Sequence, residues 1–278
     1  MEPLIRRAPK AQFFGEEAFA PSKDTVVRWL GVGGAMINSR GTCLMIDPML
    51  KDPGMPMLID FPIEVEQIPF LDAMLVTHID RDHYSLPTCL AVADRCGAFH
   101  ATQYVASEMQ ADGIRGIGHD IGDRFETGSV KVLVTPADHC WQNEDKRYKG
   151  KRLYRKEDYC GYYLDTPDGT IWMVGDSKLM EEQLHMPEPN MILFDFSDNE
   201  WHITLEGACR MAETYPDSEL VLIHWGSVNR PDITACNANP MDLFEKVKNP
   251  SRVRIVAPGE PLKCKRITER GKEGETYE

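Results

Sequence analysis

Residues 77–83 carry the densest group of side chains that could bind a metal ion. Four of the six residues from 78 to 83 are potential ligands, namely His78, Asp80, Asp82 and His83. The group follows a continuous apolar run over residues 71–77, which is typical of a strand buried on both faces. Loops at the ends of neighbouring strands meet at one edge of a sheet, so their side chains can converge there.

Three later residues have the same placement. They are His139 after a predicted strand over 130–135, Asp176 after one over 170–174, and His224 at the end of one over 220–224. Imidazole nitrogens and carboxylate oxygens suit zinc, iron and manganese, and a carboxylate between two cations can hold them about 3.5 to 4 Å apart. A single histidine of this kind is as often an ordinary hydrogen-bonded side chain, but four strand ends together favour a metal centre.

The elements that would position these residues occur in two similar halves. The first half has predicted strands at 26–30, 35–38, 43–47 and 71–77, with helices from residue 85 and over 102–110. The second half has strands at 124–126, 130–135, 159–164, 170–174, 191–196, 220–224 and 253–256, with helices from an N-cap at Thr204 and over 241–247. The repeated order predicts an α/β fold, a four-layer α/β/β/α sandwich with two sheets packed face to face.

The composition limits the kinds of partner that the protein can bind. The 278 residues include 31 Lys+Arg and 44 Asp+Glu, which gives a formal net charge of −13. Such an excess of acid excludes a general binder of polyanions and argues against nucleic acid as a partner. No run approaches the ~18 apolar residues that a membrane helix needs, and residues 1–20 have no apolar h-region. We therefore expect neither a membrane span nor a secretory signal.

The eight cysteines are scattered, and no two have C-x-x-C spacing. This pattern predicts reduced thiols and a cytoplasmic location. For the domain organisation we expect an N-terminal extension over residues 1–24, one main domain over 25–264 that holds the candidate metal ligands, and a charged C-terminal tail over 265–278. The oligomeric state stays open, a homo-oligomer included.

The metal-ligand pattern resembles the metallo-β-lactamase superfamily over residues 26–256. That superfamily has the predicted sandwich, and its signature is H-x-H-x-D-H after a buried strand. The matching positions are His78, Asp82 and His83 in the signature, His139 as the third-motif histidine, Asp176 as the bridging aspartate, His224 as the last ligand and Asp47 as a supporting aspartate. Asp80 departs from the pattern, because the signature has its second histidine there.

Three further segments resemble one subgroup of that superfamily. Residues 29–35, 135–139 and 223–227 look like the group that contains L-ascorbate-6-phosphate lactonases and N-acylphosphatidylethanolamine-hydrolysing phospholipases D. The resemblance implies hydrolysis and does not imply a substrate.

The resemblance also implies a dinuclear centre with two divalent ions, which could be Zn, Mn or Fe. Asp176 would be shared, with His78, Asp80 and His139 at a first site and Asp82, His83 and His224 at a second. A water activated there would attack a carbonyl or phosphoryl centre, with Asp82 and Asp176 as catalytic carboxylates and Asp82 orienting the water. The carboxylate of Asp80 shifts the first site toward Mn or Fe. In the competing interpretation, Asp80 turns away to bind Arg81 or a backbone group.

A basic segment over residues 146–156 begins shortly after His139 and contrasts with the acidic chain. We expect Lys149, Lys151 and Arg152 to attract a small anionic substrate. The alternative is an ordinary solvated loop. RNA is a third option because nucleases share the fold, but no additional nucleic-acid domain is evident.

Other patterns in the chain favour structure over chemistry. The glycine-rich stretch over 31–34 lacks the lysine and helix of a phosphate loop, so we interpret it as a tight hairpin turn. Cys140 adjoins His139, and because neighbours along a strand point to opposite faces we expect it to be a buried thiol. For Trp141, Trp201 and Trp225, a pocket wall and an ordinary core are both open.

Three functions remain in view. The first is a metal-dependent hydrolase acting on a small anionic lactone or ester, and the second is a phosphodiesterase using the same dinuclear site. The third is a catalytically silent metal-binding or sensing protein, in which the change at Asp80 has disabled one site.

Overall fold

The computed structural model describes residues 6–233, 236 and 238–268, which contain two seven-stranded sheets. In spatial order, the first sheet comprises β14 (Pro261–Lys263), β1 (Thr25–Gly31), β2 (Gly34–Ser39), β3 (Thr42–Ile46), β4 (Ala73–Val76), β5 (Phe99–Thr102) and β6 (Gly116–His119). The second comprises β13 (Val253–Arg254), β12 (Glu219–Ile223), β11 (Met191–Asp195), β10 (Gly169–Met173), β9 (Cys160–Thr166), β8 (Val130–Pro136) and β7 (Arg124–Thr127). Both sheets are mixed: β1 to β3 and β7 to β10 pair antiparallel, whereas β3 to β6 and β10 to β13 pair parallel.

The helices of the described residues cover the outer faces of the sheets. They are α1 (Leu86–Val92), α2 (Gln103–Ala111), α3 (Thr204–Thr214) and α4 (Pro240–Lys246). Side chains of α1 and α2 pack with Met45 and Met74 of the first sheet, and those of α3 and α4 pack in the core of the second. The predicted four-layer sandwich is therefore confirmed.

Alternation along β3 shows how one strand serves two layers. Leu44 and Ile46 enter the core between the sheets, whereas Cys43 and Met45 enter the core under α1 and α2. All four are buried, which explains why this strand has a continuous apolar run instead of a half-polar pattern.

The structure corrects the predicted elements in a few places. The predicted set lacks β5, β6 and β14. The helix α3 is assigned from Thr204, but this residue has a positive φ of 60°, which is not helical. Its Oγ1 accepts a hydrogen bond from the Gly207 N–H at 3.3 Å, so its side chain caps the helix. The predicted strand at 253–256 is limited to Val253–Arg254.

Residues 6–24 of the predicted extension pack against the sandwich. The Ala8 N–H donates to the Gly226 carbonyl at 2.9 Å, and the Asn38 amide donates to the carbonyls of Ala18 and Ala20. Residues 1–5 and residues 269–278 of the predicted tail lie outside the described residues. None of the described helices has the length and apolar character needed to cross a bilayer.

Candidate metal centre

The structure brings the seven predicted ligands together at one edge of the sandwich. They are His78, Asp80, Asp82 and His83 after β4, His139 after β8, Asp176 after β10 and His224 after β12. Their candidate ligand atoms form overlapping groups of three, and within each group the atoms lie within 4.8 Å of one another. The groups include His78, Asp80 and His139 on one side and Asp82, His83 and His224 on the other.

In the four histidines of the site, Nδ1 is hydrogen-bonded to an oxygen atom and Nε2 faces the centre of the site. The partner is Thr77 Oγ1 for His78 at 2.9 Å, Asp47 Oδ2 for His83 at 2.8 Å, the Trp201 carbonyl for His139 at 2.7 Å and Ser197 Oγ for His224 at 3.0 Å. A carboxylate and a carbonyl only accept, so Nδ1 of His83 and His139 carries a proton and Nε2 is the ring atom available to a metal ion. Partners of this kind are typical of metal-binding histidines, because they fix the tautomer and the orientation of the ring.

Asp176 lies at the centre of these groups. Its Oδ2 lies 3.1 Å from His83 Nε2, 3.2 Å from His224 Nε2 and 3.9 Å from His139 Nε2. One carboxylate oxygen is therefore within reach of histidines from both groups. This is the position that a carboxylate shared by two cations requires.

Asp80 faces the centre and does not turn away. Its Oδ2 lies 3.4 Å from His78 Nε2 and 3.5 Å from His139 Nε2. The side chains of Trp141 and Gln142 donate hydrogen bonds to its two oxygens at 2.7 and 2.6 Å. The guanidinium of Arg81 instead lies against Gly54. The geometry thus disfavours the interpretation in which Asp80 binds Arg81.

One further observation, which does not depend on the spacing of the residues, indicates that the site fits a metal ion. Nε2 of His78 is buried and forms no hydrogen bond, although an unpaired buried ring nitrogen is costly. It points toward Asp80, among nitrogen and carboxylate oxygen atoms that suit zinc, iron and manganese. His224 and Asp47 also have positive φ values of 68° and 47°, a strain that is common where side chains must be aimed at a functional site.

The electrostatics of the site keep its carboxylates ionised. Burial opposes the charge of Asp176, but the imidazoles of His224 and His83 outweigh it and hold the pKa of Asp176 well below its ordinary value. Burial likewise acts against Asp82, but a hydrogen bond from His224 and the charge of His83 lower its pKa to about 2. Anionic carboxylates at neutral pH are the form that binds cations.

The glycine-rich hairpin turn supports the site from below. It joins β1 to β2 as predicted, and Val32 adopts a positive φ of 46°. The Val32 carbonyl accepts the His224 N–H at 2.8 Å. A Cβ added at Gly33 would lie 2.4 Å from Cε1 of His83, so a larger residue there would displace that ring.

Two residues of the site escaped the sequence analysis. His202 and Asp195 are both buried, and His202 Nδ1 lies 3.0 Å from Asp195 Oδ2 and 3.7 Å from Asp176 Oδ2. His202 also forms a potential ligand group with His139 and Asp176. It lies in the connection between β11 and α3, seven positions beyond the strand end, so the placement that identified the other ligands does not apply to it.

A cavity of about 370 Å³ opens above the site. Asp80, Asp82, Asp176 and His224 line it, and Trp141 and Trp201 are among its walls. Two of the three tryptophans thus form a pocket wall, whereas Trp225 is buried and stacks on Trp29 with ring centroids 6.3 Å apart.

The basic segment contributes one residue to this cavity, and it is not one of those predicted. Arg147 lines the cavity, as does Arg230 from the loop after β12, but Lys149, Lys151 and Arg152 are not among the lining residues. Arg152 is used structurally, because its guanidinium pairs with Asp158 at 2.6 Å and lies 3.5 Å from the centre of the Tyr104 ring.

Cys140 is only half-buried, so the prediction of a buried thiol is wrong. Residues 137–140 follow the end of β8 and are not part of a strand, so strand alternation does not apply. Burial, followed by the charge of Asp138, raises the pKa of the Cys140 thiol to about 12, which leaves it a poor nucleophile at neutral pH.

Two stacked mixed sheets with a His/Asp centre at one edge define a class of metal-dependent hydrolase folds, and comparison with known proteins identifies the family. The model of the beta-lactamase superfamily domain matches residues 42–225. The UPF0173 metal-dependent hydrolase of Hyperthermus butylicus is 31% identical, over 84% of this chain and 97% of that protein.

Solved structures share the fold at lower identity. The isothiocyanate hydrolase from Delia radicum gut bacteria has a TM-score of 0.71 at 19% identity, covering 87% of this chain and 100% of that one. CmlA, a diiron beta-hydroxylase from Streptomyces venezuelae, has a TM-score of 0.65 at 12% identity, covering 87% of this chain and 54% of that one.

The chain therefore belongs to the beta-lactamase superfamily and, within it, to the family of UPF0173 metal-dependent hydrolases. This confirms the predicted superfamily and the predicted class of enzyme. The narrower resemblance to ascorbate-6-phosphate lactonases and N-acylphosphatidylethanolamine phospholipases D stays a prediction.

Proposed function

We propose that this enzyme hydrolyses a small anionic lactone or ester at a dinuclear metal centre. The observation that carries the proposal is the inward orientation of three histidine Nε2 atoms, those of His83, His139 and His224, around one oxygen of Asp176 on the floor of a cavity. The first site would comprise His78, Asp80, His139 and Asp176, and the second Asp82, His83, His224 and Asp176. When bound, two divalent cations would polarise the substrate oxygen and lower the pKa of a water molecule.

The residues of the chain have distinct tasks in this scheme. Asp82 lines the cavity, and its Oδ2 lies 3.5 Å from His224 Nε2, so it can accept a hydrogen bond from a water and orient it. Asp176 is less exposed and acts as the carboxylate that ties the two sites together. Trp141 and Val228 supply apolar walls that limit the access of bulk solvent to the reacting bond.

An anionic substrate fits the two arginines that line the cavity. Arg147 lies 5.7 Å from the Trp141 ring and pairs with Asp145, and Arg230 pairs with Asp232. The two arginine side chains are 72% and 44% exposed, and a guanidinium suits a carboxylate or phosphate. The substrate class thus rests on these two residues and not on the lysines of the basic segment.

The reaction is tested with metal-loaded wild-type protein and a panel of substrates. The panel contains neutral and phosphorylated lactones, carboxylate-bearing esters, bis-aryl phosphates and an isothiocyanate, the last because a hydrolase of that class shares the fold. Lactone or ester opening supports the proposal. Release of alcohol from diesters without lactone opening would favour the phosphodiesterase, and no turnover with sub-stoichiometric metal would favour the silent protein.

Anion recognition is tested by Arg147→Ala against a matched change in the same segment. We expect Arg147→Ala to raise KM for an anionic substrate about tenfold at low salt and to flatten its salt dependence, with kcat for a neutral substrate nearly unchanged. The control is Lys149→Ala combined with Lys151→Ala, which removes more charge at positions outside the cavity lining. Equal KM values for wild type and Arg147→Ala would contradict the assignment, and a larger effect of the lysine pair would restore the original prediction.

The predicted cytoplasmic location is part of this proposal. All eight cysteines lie in the described part of the chain, and none of them forms a disulfide there. Cys43, Cys89, Cys160 and Cys264 are buried in the core, as expected for a protein of a reducing compartment.

A further inference from the structure

The departure from the superfamily signature at Asp80 is matched by two side chains that donate hydrogen bonds to this carboxylate. Trp141 Nε1 donates to Asp80 Oδ2 at 2.7 Å, and Gln142 Nε2 donates to Asp80 Oδ1 at 2.6 Å. Both donors come from a single 3-10 turn, Trp141–Asn143, which begins two residues after His139. The same short segment therefore supplies one histidine of the first site and both hydrogen bonds to its carboxylate.

The orientation of Gln142 is itself determined by a third residue. Its amide is buried, and Tyr159, also buried, donates its hydroxyl to Gln142 Oε1 at 2.5 Å. An amide oxygen can only accept, so the Tyr159 hydroxyl is the donor in this hydrogen bond. With Oε1 committed to Tyr159, the NH₂ of Gln142 must face Asp80.

A carboxylate needs such support more than an imidazole does. Aspartate and histidine both rotate about two side-chain bonds, but a carboxylate has two equivalent oxygens, so its partners also decide which oxygen faces the site. The two donors leave Oδ2 aimed at His78 Nε2 and His139 Nε2, at 3.4 and 3.5 Å. We infer that Trp141 and Gln142 are positioning residues, which hold Asp80 in place of the signature histidine and thereby set the affinity of the first site. This inference rests on the dinuclear centre of the proposed function.

The test measures metal affinity in metal-stripped protein titrated with Mn²⁺ and with Zn²⁺ by calorimetry. Loss of a residue that orients a ligand typically costs 10–100-fold in metal affinity. We expect Trp141→Phe and Gln142→Met each to weaken one of two binding events by such a factor and to leave the other unchanged. Trp201→Phe is the matched control, because it makes the same change in the same cavity at a ring without a contact to Asp80 and keeps the carbonyl that holds His139.

A double-mutant cycle separates positioning from a general structural effect. In the Asp80→His background the signature residue no longer needs the two donors, so Gln142→Met should change first-site affinity less than threefold. An equal loss in both backgrounds, or no loss beyond that of Trp201→Phe, would overturn the inference. Wild-type protein that binds one ion, unaltered by Asp80→Ala, would overturn the dinuclear centre of the proposed function instead.

Discussion

Two clusters of buried or partly buried histidines in this molecule are built in opposite ways. At the metal centre, each Nδ1 has an oxygen partner behind it and each Nε2 faces a carboxylate. In the second cluster, His100 of β5 and His119 of β6 bond to each other, with 2.9 Å between Nδ1 and Nε2. Both of those rings stack on Phe125 of β7, at centroid distances of 4.1 and 4.4 Å.

The electrostatic consequences differ accordingly. At the metal centre, burial lowers the pKa of His224, but Asp176 and Asp82 reverse this effect and raise the pKa well above its ordinary value. In the second cluster, burial and the neighbouring His119 lower the pKa of His100 to about 4. The carboxylate that pairs with this cluster is Asp123, 4.0 Å from His119 and half exposed. Facing carboxylates thus raise the pKa of His83, His139 and His224, which separates these residues from His100. His78 is an exception at the centre, because burial and His83 outweigh Asp80 and lower its pKa.

The largest expected effect is loss of catalysis on changing the first of these clusters. Asp82→Ala or His224→Ala should each reduce kcat/KM below a tenth of the wild-type value, because each removes a proposed ligand from a site that the surrounding core has already built. Circular dichroism and the unfolding midpoint report whether the fold is retained. His100→Phe, in the second cluster, should keep activity, and its inactivation would contradict the distinction between the clusters.

Much of this distinction could be predicted from the sequence. Each of the seven proposed ligands follows or ends an apolar strand pattern, and the carboxyl ends of such strands meet at one edge. His202 could not be found in this way, since it lies within a long connection. The hydrogen bonds of Trp141 and Gln142 depend on a 3-10 turn after β8, which the sequence does not specify.

The three strands that were not predicted from the sequence have a similar explanation. β5 and β6 are four residues long, and β6 reads Gly-Ile-Gly-His, with no alternation of apolar and polar residues. β5 pairs with β4, and β6 pairs with β5. Tertiary contacts, and not the local strand propensity of the sequence, therefore determine where these strands form. β14 is a three-residue edge strand that begins with proline.

Metal binding should stabilise the protein through the first cluster alone. At a free ion concentration of about 1,000 times Kd, binding should add about 4 kcal/mol to the free energy of unfolding and raise the unfolding midpoint by roughly 10 °C. We expect His100→Phe to show the full metal-induced shift in differential scanning fluorimetry and His83→Ala to show a reduced one. Equal shifts in both variants would place the ions elsewhere.

Asp80 allows the metal preference of the two proposed sites to be compared, because among the proposed ligands it alone departs from the superfamily signature. We expect wild-type enzyme to be at least as active with Mn²⁺ or Fe²⁺ as with Zn²⁺, since an added carboxylate favours the harder ions. Asp80→His should increase the ratio of zinc to manganese activity about tenfold, which corresponds to about 1.4 kcal/mol. The ratio is measured on protein stripped with a chelator and reloaded with one ion at a time. An unchanged ratio would mean that Asp80 does not determine the metal preference.

The smallest expected effect belongs to the second cluster and concerns acid stability. Because the pKa of His100 is lowered to about 4 from an ordinary value of 6.5, the unfolded chain takes up a proton before the folded protein does. Its contribution to stability is therefore present above pH 6.5 and is lost as the pH falls toward 4. Between pH 7 and pH 5.5 this linkage should remove about 1 kcal/mol from the free energy of unfolding.

His100→Phe tests this sign, because it removes the titrating group and keeps a flat ring beside Phe125. Urea unfolding of metal-stripped wild type and variant at both pH values gives the difference, and the metal-centre histidines, which titrate in both proteins, cancel on subtraction. We expect the variant to lose about 1 kcal/mol less than wild type over this interval, even though it leaves His119 without its ring partner at both pH values. A loss equal to that of wild type would mean that the folded protein protonates His100 as readily as the unfolded chain, and the second cluster would then no longer be a neutral, aromatic counterpart to the charged centre.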